Sequence, residues 1–226
     1  MRGTEIRDEH AASGPSAAPR HRRRRRGRLF LRITGVVFIA AALGVGAYLW
    51  WNLWGTGYVT RAAQEDLRTR FERNVARLAP EEAPERVAKV PGHAVAIIRI
   101  PKIEIDYVVV EGTDTESLKK GPGHYSDTAY PWEDTGRVGI AGHRTTYGAP
   151  FWSLNELREG DRIVVATAYG IFDYRVTRVV ITPPSGVLPL GASVLDPTEQ
   201  PTLVLTTCNP RFSAAERLVV IADRVG

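Results

Sequence analysis

Cysteine is almost missing from this chain: among 226 residues there is one, Cys208. A single thiol excludes an intramolecular disulfide framework, though it does not by itself assign a redox compartment. There are five histidines, and nowhere do His, Cys, Asp and Glu gather at metal-ligand spacing, so the sequence calls for no metal and no redox cofactor. No acidic loop suited to calcium is present, and there is no internal repeat. Acidic residues are scarce only at the start. The first thirty-two residues hold ten arginines against Glu5, Asp8 and Glu9, which is +7; with a whole-chain charge of +5, the remainder carries −2. The basic character belongs to one tail, and the body has no global attraction for nucleic acid.

Long apolar runs are also absent, with one exception. Ile33 to Trp51, "ITGVVFIAAALGVGAYLWW", carries no charge and is long enough to cross a hydrocarbon layer of about 30 Å as a helix. Arginines crowd its near end in "HRRRRRGR", and Tyr48, Trp50, Trp51, Trp54 and Tyr58 gather at the far end, where amphipathic rings favour the interface. The arrangement predicts a single-pass, uncleaved anchor with the N-terminus cytoplasmic and the rest outside, the arginines also touching anionic membrane lipid. Residues 1–28, rich in Ala, Ser, Pro, Gly and Arg, are expected to be a disordered cytoplasmic tail. The anchor occupies 29–54. Leu67, Phe71, Val75 and Leu78 then recur at helical spacing and predict a stalk helix, followed by the proline- and charge-rich linker "PEEAPERVAKVPG"; together these fill 55–92.

Residues 93–226 form the folded body. Short β-branched runs ("HAVAIIRIP", "IDYVVVEG", "GRVGIAGH", "DRIVVATAYG", "IFDYRVTRVVIT", "TLVLTTC", "RLVVIADRV") alternate with turn residues, which predicts a mostly β barrel or sandwich. "AYG" at 168–170 reads as a hairpin turn. Short helical pieces are expected at "DTESLKKG", capped by Asp114, and at "PFWSLNELREG", ended by Gly160.

Cys208 ends one of these strands. A lone cysteine is more often a packed apolar residue than a reactive one. Two further groups suited to acyl transfer also stand at strand ends: His143, after "VGIAG", and Arg217, which begins the strand following the cysteine. A thiol supplies a strong nucleophile, an imidazole titrates near neutrality, and a guanidinium keeps its charge beside a developing oxyanion. By spacing alone both readings stay open. His124, in "GPGHY", is a second imidazole competing with His143.

"LTTCNPRFSAAER" together with "GIAGHRTTYGAPFW" resembles the sortases, membrane-anchored cysteine transpeptidases of Gram-positive bacteria, and "GPGHYSDTAYPWEDTG" is most similar to the class E, actinobacterial housekeeping type. The resemblance covers 93–226 and implies a closed eight-stranded β-barrel with short helices. It implies Cys208 as nucleophile, His143 as general acid and base, and Arg217 as oxyanion stabiliser, with Tyr125 and Thr207 in substrate binding and no cofactor. It implies cleavage of an LAxTG- or LPxTG-like C-terminal sorting signal between Thr and Gly, and transfer of the surface protein to a peptidoglycan-precursor (lipid II) amine. Hydrolysis of the same motif by a cysteine peptidase and pilin polymerisation are the alternatives; the pattern Asp-Pro-aromatic of a pilin-type lid is absent from "PEEAPERVAKVPG". The first threonine of the family signature falls on Val204.

Overall fold

In the computed structural model, which describes residues 21–77, 90, 92–186 and 193–225, eight strands close into one barrel in the order β1-β2-β3-β4-β7-β8-β6-β5. The strands are β1 (Ala94–Ile100), β2 (Ile105–Glu111), β3 (Gly123–His124), β4 (Arg137–Ala141), β5 (Arg162–Thr167), β6 (Gly170–Thr182), β7 (Thr202–Asn209) and β8 (Glu216–Arg224). All seven runs expected from the sequence are strands. The eighth, β3, has two residues, too short to show any periodicity. Neighbours are antiparallel except β2–β3 and β4–β7, which run parallel. Closure removes every sheet edge and leaves one apolar interior, filled by residues such as Ile98, Ile140, Phe151, Leu203, Leu205 and Val220.

Alternation along β7 decides what faces where. Leu203 and Leu205 enter the barrel interior, while Val204 lies on the outer face with Val194, Val219 and Ile221. Val204 is fully buried there, in an apolar contact that gives a hydroxyl nothing to do. The two-residue turn Ala168–Tyr169 joins Thr167 to Gly170 in the β5–β6 hairpin, as expected. The Asp114 carboxylate caps α3 (Thr115–Lys120) by accepting from the Glu116 and Ser117 amides. The stretch 150–160 is less helical than its pattern suggests: only Leu154–Glu156 makes a 3₁₀ turn, because Phe151, Leu154 and Leu157 are all drawn into the barrel core.

Helix α1 spans His21–Trp50, a π turn covers Trp51–Gly55, and α2 runs from Thr56 to Arg77. Of the tail expected to be disordered, residues 1–20 lie outside the described residues. The arginine run, however, is helical from His21, consistent with the good helix propensity of arginine and its continuation into an apolar helix. Among the described residues one helical stretch, Leu29–Ala76, is long and apolar enough to cross a membrane. The segment expected as a stalk is helical and is also bolted to the barrel. Leu67 and Phe71 form a buried cluster with Ile97, Val108 and Val110. A polar stripe on the same helix, Thr60, Gln64 and Arg68, bonds to Lys119 O, to Val108 O and Lys120 O, and to Asp106. The linker expected at 80–92 lies almost wholly outside the described residues.

Candidate active site

The parallel pairing of β4 with β7 sets Ala141 opposite Thr206. His143 lies two residues beyond Ala141, and Cys208 two beyond Thr206. On the other side of β7, Cys208 stands directly opposite Arg217 of β8, and such cross-strand partners point to the same face with Cβ atoms about 5 Å apart. Imidazole, thiol and guanidinium are therefore carried at one end of three neighbouring strands, spaced about 4.8 Å apart in the sheet.

Backbone and side-chain bonds hold this end together. The Gly142 amide donates to Thr206 O at 3.1 Å, and the Thr207 hydroxyl donates to Gly142 O at 2.7 Å. Thr207, expected in substrate binding, is buried and faces the opposite side of β7 from Cys208, where its hydroxyl ties β7 to the residue before His143. Tyr125 is placed differently. Its hydroxyl shares a 2.9 Å hydrogen bond with Thr206 Oγ1, and Thr206 lies on the same face of β7 as Cys208, two residues earlier. A side chain at Gly139 would bring its Cβ within 2.9 Å of the Tyr125 ring; glycine lets that ring lie down on β4.

Cys208 is half-buried. His143 is half-buried too, yet its Nε2 is enclosed without a hydrogen-bond partner among the described residues, and burial pushes its pKa below the ordinary 6.5. Desolvation penalises the imidazolium, so the ring is neutral at pH 7. Arg217 donates through Nη1 to Ala214 O at 3.1 Å and Glu216 O at 2.9 Å, contacts that leave its other donors available.

The second imidazole has another task. His124 is 1% exposed, with Nδ1 3.1 Å from Glu111 Oε2 and Nε2 3.0 Å from Ala129 O. The Tyr130 hydroxyl donates to the same carboxylate oxygen at 3.1 Å, and the Tyr130 ring stacks on His124. Burial alone would raise the Glu111 pKa, but hydrogen bonds from His124, Ser126 and Tyr130 outweigh it and hold the carboxyl below its ordinary value. This buried cluster anchors β3 and the chain after it, which includes Tyr125.

Arg144 was not singled out by the sequence, although it directly follows His143. It is 5% exposed and donates to Trp152 O at 3.0 Å, Cys208 O at 3.2 Å and Asn155 Oδ1 at 2.9 Å. Burial and the neighbouring Arg211 depress its pKa, but a guanidinium stays charged. Its fork links the histidine strand, the cysteine strand and the 150–157 segment. Nearby, Arg211 lies 4.3 Å over the Trp152 ring, and exposed Phe212 meets that ring edge-on, forming an aromatic rim beside the β7–β8 turn.

A closed eight-stranded barrel carrying a thiol, an imidazole and a guanidinium on three adjacent strand ends has the architecture of a cysteine acyl-transfer enzyme. Residues 98–225 match the family description "Sortase domain", and the chain belongs to the sortase family. It is 30% identical to Sortase D of Bacillus subtilis, over 86% of this chain and 98% of that protein. It is 30% identical to Sortase SrtE1 of Streptomyces coelicolor over 94% of this chain, and spans 64% of that relative's length. The crystal structure of Sortase E1 from Streptomyces coelicolor with a tripeptide in its active site is similar at 34% identity and a TM-score of 0.53, covering 62% of this chain and 92% of that one. The likeness to class E is thus matched by named class E relatives, with a class D relative at the same identity.

Proposed function

We propose that this protein is a membrane-anchored cysteine transpeptidase that cleaves a C-terminal LAxTG- or LPxTG-like sorting signal between Thr and Gly. It then joins the protein to the amine of a peptidoglycan precursor. The observation that carries the reading is the register: Cys208 opposite Arg217, and His143 and Cys208 each two residues beyond the paired Ala141 and Thr206. The tripeptide held in the active site of the similar Sortase E1 supports a peptide substrate.

The chemistry follows from a neutral His143. A neutral His143 takes the Cys208 proton as the sulfur attacks the threonine carbonyl carbon, forming a C–S bond. Negative charge on the carbonyl oxygen is met by Arg217 donors. His143 returns the proton to the glycine nitrogen as the C–N bond breaks, and the hydrophobic tail of the signal leaves as a free amine. The acceptor amine then attacks the thioester carbonyl and loses a proton to His143. The proton restores the Cys208 thiol as the C–S bond opens. The outer face of β7 with Tyr125 is the substrate side of this scheme. The apolar part of the helical stretch Leu29–Ala76, residues 29–54, supplies the anchor, and the arginine-rich flank favours a cytoplasmic N-terminus with the barrel outside.

Incubating the full chain in detergent with LAxTG and LPxTG peptides, with and without triglycine, followed by mass spectrometry, tests this reading. The expected product is the threonine–triglycine adduct, absent from Cys208→Ala. Hydrolysis alone in abundant triglycine overturns transfer in favour of a peptidase.

A further inference from the structure

Three successive residues after the candidate catalytic histidine adopt positive φ: Tyr147 at 52°, Gly148 at 73° and Ala149 at 47°. Non-glycine residues in this region are strained and persist only where the surroundings over-determine them. Part of that determination comes from outside the barrel. The Tyr147 amide donates to the Thr56 hydroxyl of α2 at 3.0 Å, and Thr56 donates in turn to Asn52 O at 2.9 Å. That hydroxyl thus both accepts and donates, and Thr56 is buried. One turn on, a Cβ at Gly148 would stand 3.5 Å from Thr60 Cγ2, so this side of the loop lies on the helix. From the barrel, the Tyr107 hydroxyl donates to Gly148 O at 3.2 Å. The Tyr147 ring then rests on the His143 ring, centroids 5.0 Å apart and tilted by 37°. A continuous line of contact runs from Thr56 through Tyr147 to His143.

We infer that helix α2, between the anchor and the barrel, is a working part of the active site, with Thr56 as a positioning residue that sets the His143 loop through Tyr147. The inference rests on the proposed role of His143. Its physical content is that the imidazole has no hydrogen-bond partner at Nε2 among the described residues to orient it, so ring packing on Tyr147 constrains it, and Tyr147 is placed by a helix outside the barrel. Barrel fragments lacking residues 48–77 therefore bind peptide with an imperfectly placed imidazole.

The test uses the full chain in detergent with a sorting-signal peptide. Thr56→Val keeps the shape and removes the hydroxyl; Thr56→Ser keeps the hydroxyl. Misplacing a reacting group costs turnover far more than binding, so Thr56→Val is expected to lose kcat on the order of tenfold with KM within about twofold, and Thr56→Ser to recover it. Gln64→Leu removes the α2 bonds to Val108 and Lys120 without touching the loop, and is expected to lower Tm while holding kcat within about twofold. Should Thr56→Val misfold, Tyr147→Leu breaks the same line at its other end and is expected to show the same split. Wild-type kcat in a folded Thr56→Val, or an equal loss in Gln64→Leu, overturns the inference. His143→Ala separates the two claims: if it keeps turnover, the proposed function fails; if it is inactive while Thr56→Val is normal, only the inference fails.

Discussion

The Thr207 hydroxyl donates to the Gly142 carbonyl at 2.7 Å, so a buried bond joins the residue before Cys208 to the residue before His143. Thr207→Val keeps the volume and leaves that carbonyl with one partner fewer. The expected cost is about 1–3 kcal/mol in chemical denaturation, with kcat reduced and KM little changed. Thr207→Ser is expected to restore both; a Val variant with full kcat would show that the tie does not matter for chemistry.

Arg144 spends its donors on carbonyl and amide oxygens from two segments, Trp152 O and Asn155 Oδ1 on one and Cys208 O on the other. A charge-assisted bond contributes about 1.5–3 kcal/mol, so Arg144→Met is expected to destabilise the domain by at least that much. It is also expected to accelerate alkylation of Cys208 by iodoacetamide as the strand end loosens. Lysine has no planar fork with which to span these oxygens, so Arg144→Lys is expected to rescue little. Equal alkylation rates in wild type and Arg144→Met would count against a role in holding the cysteine strand.

Half-buried His143 and buried Glu111 make stability depend on pH in separate windows. The His143 pKa is depressed in the folded state, so its contribution is fully present above 6.5 and is lost as pH falls through the lower folded value. Glu111 is also depressed, from 4.5, so its contribution is present above that value and disappears in more acidic solution. Tm measured against pH is expected to fall in two stages. His143→Gln should flatten the first stage; Glu111→Gln should flatten the second, with lower stability at neutral pH because the cluster with His124 and Tyr130 is broken. Unchanged slopes in these variants would remove the two groups as the cause.

Val204 stands where the family signature has threonine, but it is fully buried among Val194, Val219 and Ile221. Val204→Thr places a hydroxyl in that apolar contact and is expected to cost about 1–3 kcal/mol without raising turnover. A gain in kcat/KM would mean that a hydroxyl on the thiol's face of β7 contributes to the reaction.

Local pattern alone determined much of this molecule. The apolar run, the seven longer strands, the Ala168–Tyr169 turn and the Asp114 cap each rest on a periodicity or on a residue whose preference is intrinsic to a few neighbours. The same pattern set Cys208, His143 and Arg217 at strand ends. The strand end "AGH" favoured His143 over His124, but pattern could not say what His124 does instead, because burial is not a local property: the fold encloses His124 with Glu111 and leaves His143 beside the cysteine strand. Nor did it show which face Thr207 takes, that Arg144 is enclosed, or that α2 docks on the barrel and reaches the histidine loop. The first two depend on β4 and β7, some sixty residues apart in sequence, pairing in parallel and in one register, and the docking of α2 depends on the apolar face that β1 and β2 make together. Register is decided by the fit of whole apolar faces at closure of the barrel, a quantity that exists only once all eight strands are in place.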